Sequence, residues 1–162
     1  MPDFTVFSLL DIRLESDSIS FNKSLVKELD LFDHNLLFPH EKVIDEKTSL
    51  LINYLRSFNN SIIISSILCC SKSMVIIDGH HRFYALKKLG FKKVPVTTID
   101  YFSDDIKTDS EEKFSKDSII NSGVNKQFLE PKSTNHLVYC QKSKLWQPVI
   151  LLSSLFKLNF EN

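Results

Sequence analysis

The chain has 162 residues, enough for one domain with a substantial core, and its 43% hydrophobic and 25% charged content is ordinary for a globular protein. Twenty basic residues balance twenty acidic ones, and a net charge of zero argues against a broad electrostatic surface for nucleic acid or acidic membrane. No apolar run approaches the roughly 20 residues of a membrane-spanning helix, and Met1-Pro2-Asp3-Phe4 lacks the basic and apolar regions of a signal peptide.

In chain order, Phe4 to Leu14 reads as a strand, Glu15 to Ser24 as a Ser-rich loop, and Leu25 to Leu31 as a second short strand. Asp33 to Glu41 reads as a connection, with Pro39 suited to the first turn of a following helix. Apolar residues at helical spacing predict a helix over His40 to Phe58. Ile62 to Leu68 is a β-branched strand; with Ser71-Lys72-Ser73 as the turn, it predicts a hairpin with Met74 to Ile77. An Asp78-Gly79 turn leads into a helix that ends at Leu89 and is closed by Gly90. Val94 to Ile99 is another strand, placed by Pro95 at a sheet edge or a strand start. The segment 101–116 is polar and reads as a mobile, solvated insertion in an otherwise single domain over 1–162. A short helix over Asp117 to Asn121 follows, then an apolar run from Leu137 to Cys140. Pro148 to Phe156 reads as a strand passing into a short helix. The three cysteines, Cys69, Cys70 and Cys140, form no CxxC or zinc spacing, so free thiols in a reducing compartment are expected. That places the protein in the cytosol, or in cytosol and nucleus.

Three polar clusters sit at junctions between elements: His40-Glu41, Asp78 to Arg82, and Lys132 to His136. At the second, a glycine in a strand-to-helix turn lets the backbone approach a ligand, and the free N–H groups of the new helix attract anions. His80, His81 and Arg82 add side-chain donors. Two readings stand for this stretch: a phosphate-binding turn, or the solvated first turn of an amphipathic helix. Lys132, Thr134 and His136 offer a cation, a hydroxyl and an imidazole suited to phosphate oxygens. Glu41 is either a helix-start residue facing the dipole or, opposite a bound phosphate, a base for a hydroxyl nucleophile. A P-loop, the protein-kinase motif set and the G-x-S-x-G elbow are all missing. The adjacent His80 and His81 diverge, which disfavours a mononuclear metal site.

Ile76 to Gly90, with its Asp-Gly-His-His-Arg turn, resembles the signature turn and helix of the ParB/sulfiredoxin superfamily, in the form found in free serine kinases. Phe38-Pro39-His40-Glu41 resembles their segment with the catalytic glutamate, and Glu130 to His136 resembles their late Pro-Lys-[Ser/Thr]-Thr-x-His segment. The three occur in the family's order over roughly Leu36 to His136. The resemblance implies a compact α+β domain with a small mixed sheet and packed helices. It also implies a kinase converting free L-serine to O-phospho-L-serine with ADP or ATP and Mg²⁺. Glu41 would be the general base, and Asp78 would help place substrate or metal. Gly79, His80, His81 and Arg82 would hold phosphates, and Lys132, Thr134 and His136 would close over the phosphoryl group. The Arg82–Lys132 separation is shorter than in the prokaryotic kinases, which implies a reduced substrate-covering subdomain. His80 stands where sulfiredoxin has its cysteine, against thiol chemistry. The Arg-Arg pair and helix-turn-helix of ParB partition proteins are not visible. Two alternatives remain: an inactive nucleotide-binding regulatory module of the same fold, and a ParB-like domain associated with nucleic acid.

Overall fold

A computed structural model describes residues 5–8, 20–109 and 112–160. The order of elements is β1 (Thr5–Ser8), β2 (Val26–Asp33), α1 (Asp45–Arg56), β3 (Ser61–Ser65), β4 (Ile67–Cys70), β5 (Ile76–Asp78), α2 (His80–Lys88) and β6 (Lys93–Ile99). It continues with β7 (Ile106–Thr108), α3 (Lys116–Val124), β8 (His136–Cys140), β9 (Leu145–Pro148) and β10 (Ser154–Asn159). The expected α+β class is therefore observed. A four-stranded mixed sheet, in the order β2-β6-β4-β5, is flanked by two three-stranded antiparallel sheets, β1-β10-β3 and β7-β8-β9. In the mixed sheet only β4 and β6 run parallel.

The apolar run 62–68 was expected to be one strand and is two. The break falls at Ser66, whose Oγ lies 2.7 Å from Thr97 Oγ1 and accepts from Ser154 N at 3.0 Å. That buried polar knot lets the chain leave the sheet with β10 and enter the sheet with β6. The hairpin expected across Ser71 to Ser73 is present as β4 and β5, with Leu68 opposite Asp78. Cys69, Cys70 and Cys140 are all buried.

The β2-β6-β4-β5 sheet carries one apolar cluster on α1 and α2, through Leu55, Phe83 and Leu86. A second cluster lies towards β7, β8 and Tyr101. Pro95 is in an interior strand, yet near its start: it faces Leu31 of β2, and pairing with β4 begins only at Val96. Its missing N–H therefore interrupts no bond to β4.

Four further expectations need correcting. The first long helix begins at Asp45, not His40, because 38–43 is extended: Phe38 bridges Val75, and Glu41 bridges Leu129. Pro39 therefore lies in extended chain, not in a helical first turn. Segment 101–116 contains Tyr101, 1% exposed, and strand β7 with Ile106 buried, so it is built into the second apolar cluster. Near the C-terminus the order is reversed: a 3-10 turn over Val149–Leu152 precedes strand β10. Of the strand expected over 4–14, β1 is seen, and positions 9–14 lie outside the described residues, as does 15–19 of the expected loop.

Candidate active site

The extended segment 38–43, the start of α2 and the loop before β8 meet at one cleft of about 240 Å³. Glu41, Asp78, Gly79, His80, His81, Arg82, Lys132 and Thr134 all line it. Residues from three separate parts of the sequence thus share one surface. His136, the remaining expected site residue, stands a layer behind: it is 6% exposed, and its Nε2 lies 2.9 Å from the Tyr101 hydroxyl. Two larger clefts, about 340 and 270 Å³, run along the outer side of α2 and share Tyr84 and Phe128.

Gly79 ends β5 and caps α2 with φ of +102°, a conformation that L side chains rarely adopt. The turn delivers the first N–H groups of α2 to the cleft its residues line. Those groups have no acceptor inside the helix; the first intrahelical bond is Phe83 N to Gly79 O at 2.9 Å. With the helix dipole, this is a cradle for an anion.

Arg82 braces the turn. Its Nη2 donates to Asp78 Oδ2 at 3.2 Å and to Ser66 O at 3.1 Å. Asp78 is thereby tied to the guanidinium across one turn. His81 Nε2 accepts from Ile44 N, the residue before α1, at 3.1 Å, so α1 is anchored to the cleft. His80 Nε2 accepts from His40 N at 3.2 Å, which leaves the proton of a neutral ring on Nδ1, 3.9 Å from Glu41 Oε1.

Glu41 is 7% exposed. Its Oε1 accepts from Lys132 N at 3.3 Å and its Oε2 from Thr134 Oγ1 at 3.2 Å. Burial raises its pKa above the usual carboxylate value, and the bonds from Thr134 and Lys132 oppose that rise without cancelling it. Burial also pushes His40 down to about 4, His136 down to about 3, and His80 well below its ordinary value. His81 is lowered by burial first, then by the Lys132 and Lys47 charges. The histidines therefore rest as neutral donors and acceptors near neutral pH, and Lys132 and Arg82 bring basic side chains to the cleft.

Sequence reasoning missed Lys47. It lies in the first turn of α1, exposed, and its pKa is lowered chiefly by contact with the Lys132 ammonium. No local motif marks it, because its neighbour is 85 positions away in sequence (132 minus 47). His40 was quoted beside Glu41 without a role, although it is fully buried within the site's hydrogen-bond network.

The lowered histidines make stability pH-dependent. Each is neutral in the folded chain but protonates near 6.5 when unfolded, so the unfolded state binds more protons below that pH. Their contribution is complete above about pH 6.5 and is lost as pH falls towards about 4 for His40 and about 3 for His136. Each full unit is worth about 1.4 kcal/mol. Glu41 works the other way: with a raised folded pKa, its contribution is lost as pH rises. The several histidines outweigh it. Urea unfolding is expected to show a lower midpoint at pH 5 than at pH 7.5; an equal or higher midpoint at pH 5 would contradict the neutral-histidine assignment.

No family model matches the sequence. An ATP-dependent L-serine kinase of Staphylothermus marinus is 40% identical over 80 residues, 48% of this chain and 31% of that protein. About half of this chain is thus similar to about a third of an L-serine kinase. An ADP-dependent L-serine kinase of Thermococcus kodakarensis is 36% identical over 74 residues, 43% of this chain and 29% of that protein. The matched part thus spans about a third of the length of these curated relatives. A free serine kinase solved in complex with AMP is 29% identical, covers 58% of this chain and 38% of that one, with a TM-score of 0.44. The two sequence similarities agree with the free-serine-kinase form of the motifs read above. Among the described residues no helix is long and apolar enough to cross a membrane.

Magnesium was expected with the nucleotide. Among the described residues no group of three or more His, Cys, Asp or Glu side chains could hold a metal ion. Asp78 is committed to Arg82, and Glu41 to Thr134 and Lys132. These residues do not fit a protein-held cage. Magnesium bound mainly through phosphate oxygens and water needs none.

Proposed function

We propose that this cleft transfers a phosphoryl group from ATP or ADP to the hydroxyl of free L-serine. The observation that carries the reading is the placement of one buried carboxylate, Glu41, in the same cleft as the open start of α2 and Lys132. Phosphoryl transfer asks a protein mainly for positioning and charge stabilisation. The α2 N–H groups and the cations Lys132 and Arg82 bind the donor's phosphates. His80 and His81 serve as neutral donors. Glu41, its pKa raised by burial, takes the proton of the serine hydroxyl as the oxygen attacks phosphorus. His136 supports this wall from behind through Tyr101. Magnesium arriving with the donor would offset phosphate charge. The similarity to ATP- and ADP-dependent L-serine kinases supports both the acceptor and the donor class.

The test is direct. Purified protein with Mg²⁺, L-serine and either ATP or ADP is expected to yield O-phosphoserine, detected by mass spectrometry, with matching loss of the donor's terminal phosphate. Nucleotide binding without phosphoserine from either donor overturns the kinase reading in favour of a regulatory nucleotide-binding module.

A further inference from the structure

Glu41, Thr134 and His40 are joined by a hydrogen-bond chain in which one hydroxyl proton faces two acceptors. His40 is 0% exposed, so water cannot serve its ring. Its Nδ1 faces the carbonyl oxygen of Ile76, which can only accept, so Nδ1 carries a proton. Its Nε2 lies 2.9 Å from Thr134 Oγ1. The same hydroxyl lies 3.2 Å from Glu41 Oε2. A threonine hydroxyl has one proton to give. With His40 neutral and Glu41 ionised, two acceptors compete for it: if it goes to Glu41, the His40 Nε2 has no donor, and if it goes to His40, Glu41 keeps only the backbone N–H groups of Lys132 and Thr134.

One added proton removes the conflict, in either of two arrangements. If it sits on Glu41, the carboxyl donates to Thr134 Oγ1, and Thr134 donates to His40 Nε2. If it sits on His40, Nε2–H donates to Thr134 Oγ1, and Thr134 donates to the Glu41 carboxylate. Every group is satisfied in both. They interconvert by two short hops along the same bonds, with no atom other than hydrogen moving.

We propose that Glu41, Thr134 and His40 act as a single proton-holding unit, in which His40 is a positioning residue that shares the proton taken up by Glu41. This rests on the proposed role of Glu41 as base and deepens it. When the acceptor hydroxyl attacks phosphorus, its oxygen's electron pair forms the new P–O bond and its proton passes to Glu41. The P–O bond to the leaving nucleotide breaks with its electron pair on the nucleotide. The Glu41 proton bonds Thr134, whose own proton turns to His40, so the network gains a hydrogen bond as the base is loaded. That gain draws the proton towards Glu41.

Four titratable neighbours face this unit, with His80 Nδ1 also 3.9 Å from Glu41 Oε1. From α2, the His80 ring stands 4.5 Å from the His40 ring, its Nε2 already occupied by His40 N. From β8, His136 stands 6.0 Å away, its Nε2 facing Tyr101. Lys132 meets Glu41 on the other carboxylate oxygen through its backbone N–H. Asp78, at the end of β5, is the nearby acidic charge acting on both His40 and Glu41, and it is paired to Arg82.

Side-chain NMR of ligand-free protein labelled at histidine nitrogens and glutamate Cδ tests the unit without any turnover. His40 Nε2 and Glu41 Cδ are expected to change in one step with a common midpoint. In Glu41→Gln the amide donates permanently to Thr134, and the His40 step should disappear. Thr134→Ser should keep the shared step and Thr134→Val should lose it. Separate midpoints in the wild type, or a His40 step that survives in Glu41→Gln, overturn the proposal even where Thr134→Val fails to fold. Because no substrate is used, absence of serine phosphorylation would defeat the kinase reading alone.

Discussion

Replacing Glu41 by Gln is expected to lower turnover by about 10²–10⁴-fold, the range typical for loss of a positioned general base, while nucleotide affinity stays within a few-fold of wild type. The amide has the size of the carboxylate. It can still accept from Lys132 N, and it can donate to Thr134 Oγ1, so the wall of the cleft keeps its shape. What it loses is a lone pair basic enough to take the acceptor's proton. Glu41→Ala is a poorer probe, because it strips Lys132 N and Thr134 Oγ1 of a buried partner and confounds chemistry with packing. Phosphoserine formation followed by mass spectrometry, with AMP affinity from calorimetry alongside, separates the two effects. Unchanged turnover removes Glu41 from the role of base; a parallel collapse of AMP binding makes it a structural residue of the cleft.

Gly79→Ala is the second large effect. At φ of +102° any L side chain is strained, and an added Cβ would lie 2.8 Å from Arg82 Nη2. That guanidinium has little freedom to yield, since it is held by Ser66 O and Asp78. A side chain forced into such a conformation costs about 1–3 kcal/mol. Relief of the clash must come from the turn that aims the α2 N–H groups. Stability by urea unfolding should fall by that amount, and phosphate affinity should fall about tenfold for each 1.4 kcal/mol lost in the cradle. Gly90→Ala is the control: it shares the positive φ, at +90°, but nothing lies within 4 Å of its Cβ. It should lose stability through strain alone and bind AMP normally. Equal losses of AMP affinity in both variants would refute a special role for the Gly79 turn.

The parts of this site legible in sequence are those carried by local rules. Asp78 to Arg82 announces itself because a glycine, a strand end and a helix start must coincide there, and they do. Glu41 and Lys132 were found by their neighbours in the chain. Their convergence on one cleft is long-range: it follows from Glu41 bridging Leu129 and from Lys42 N bonding Leu129 O. That same pairing is what the periodicity of 40–58 concealed, since apolar residues at helical spacing say nothing about an extended partner 88 positions on (129 minus 41). The polar segment after Tyr101 misled for a related reason. Its charges sit on the outside of a short strand whose inward residues, Ile106 and Thr108, are few enough to hide in composition. His136 was found by its motif, but its depth depends on Tyr101, which no motif links to it. Lys47 and the role of His40 depend wholly on tertiary contact.

The central claim is that the donor's phosphates lie at the start of α2, facing Glu41. Titrating ADP with Mg²⁺ into ¹⁵N-labelled protein tests it most directly. The backbone amide signals of Gly79, His80, His81, Arg82 and Lys132 are expected to move first and furthest. Shifts centred instead on Tyr84 and Phe128, in the clefts along the outer side of α2, with the Gly79 turn unmoved, would contradict it.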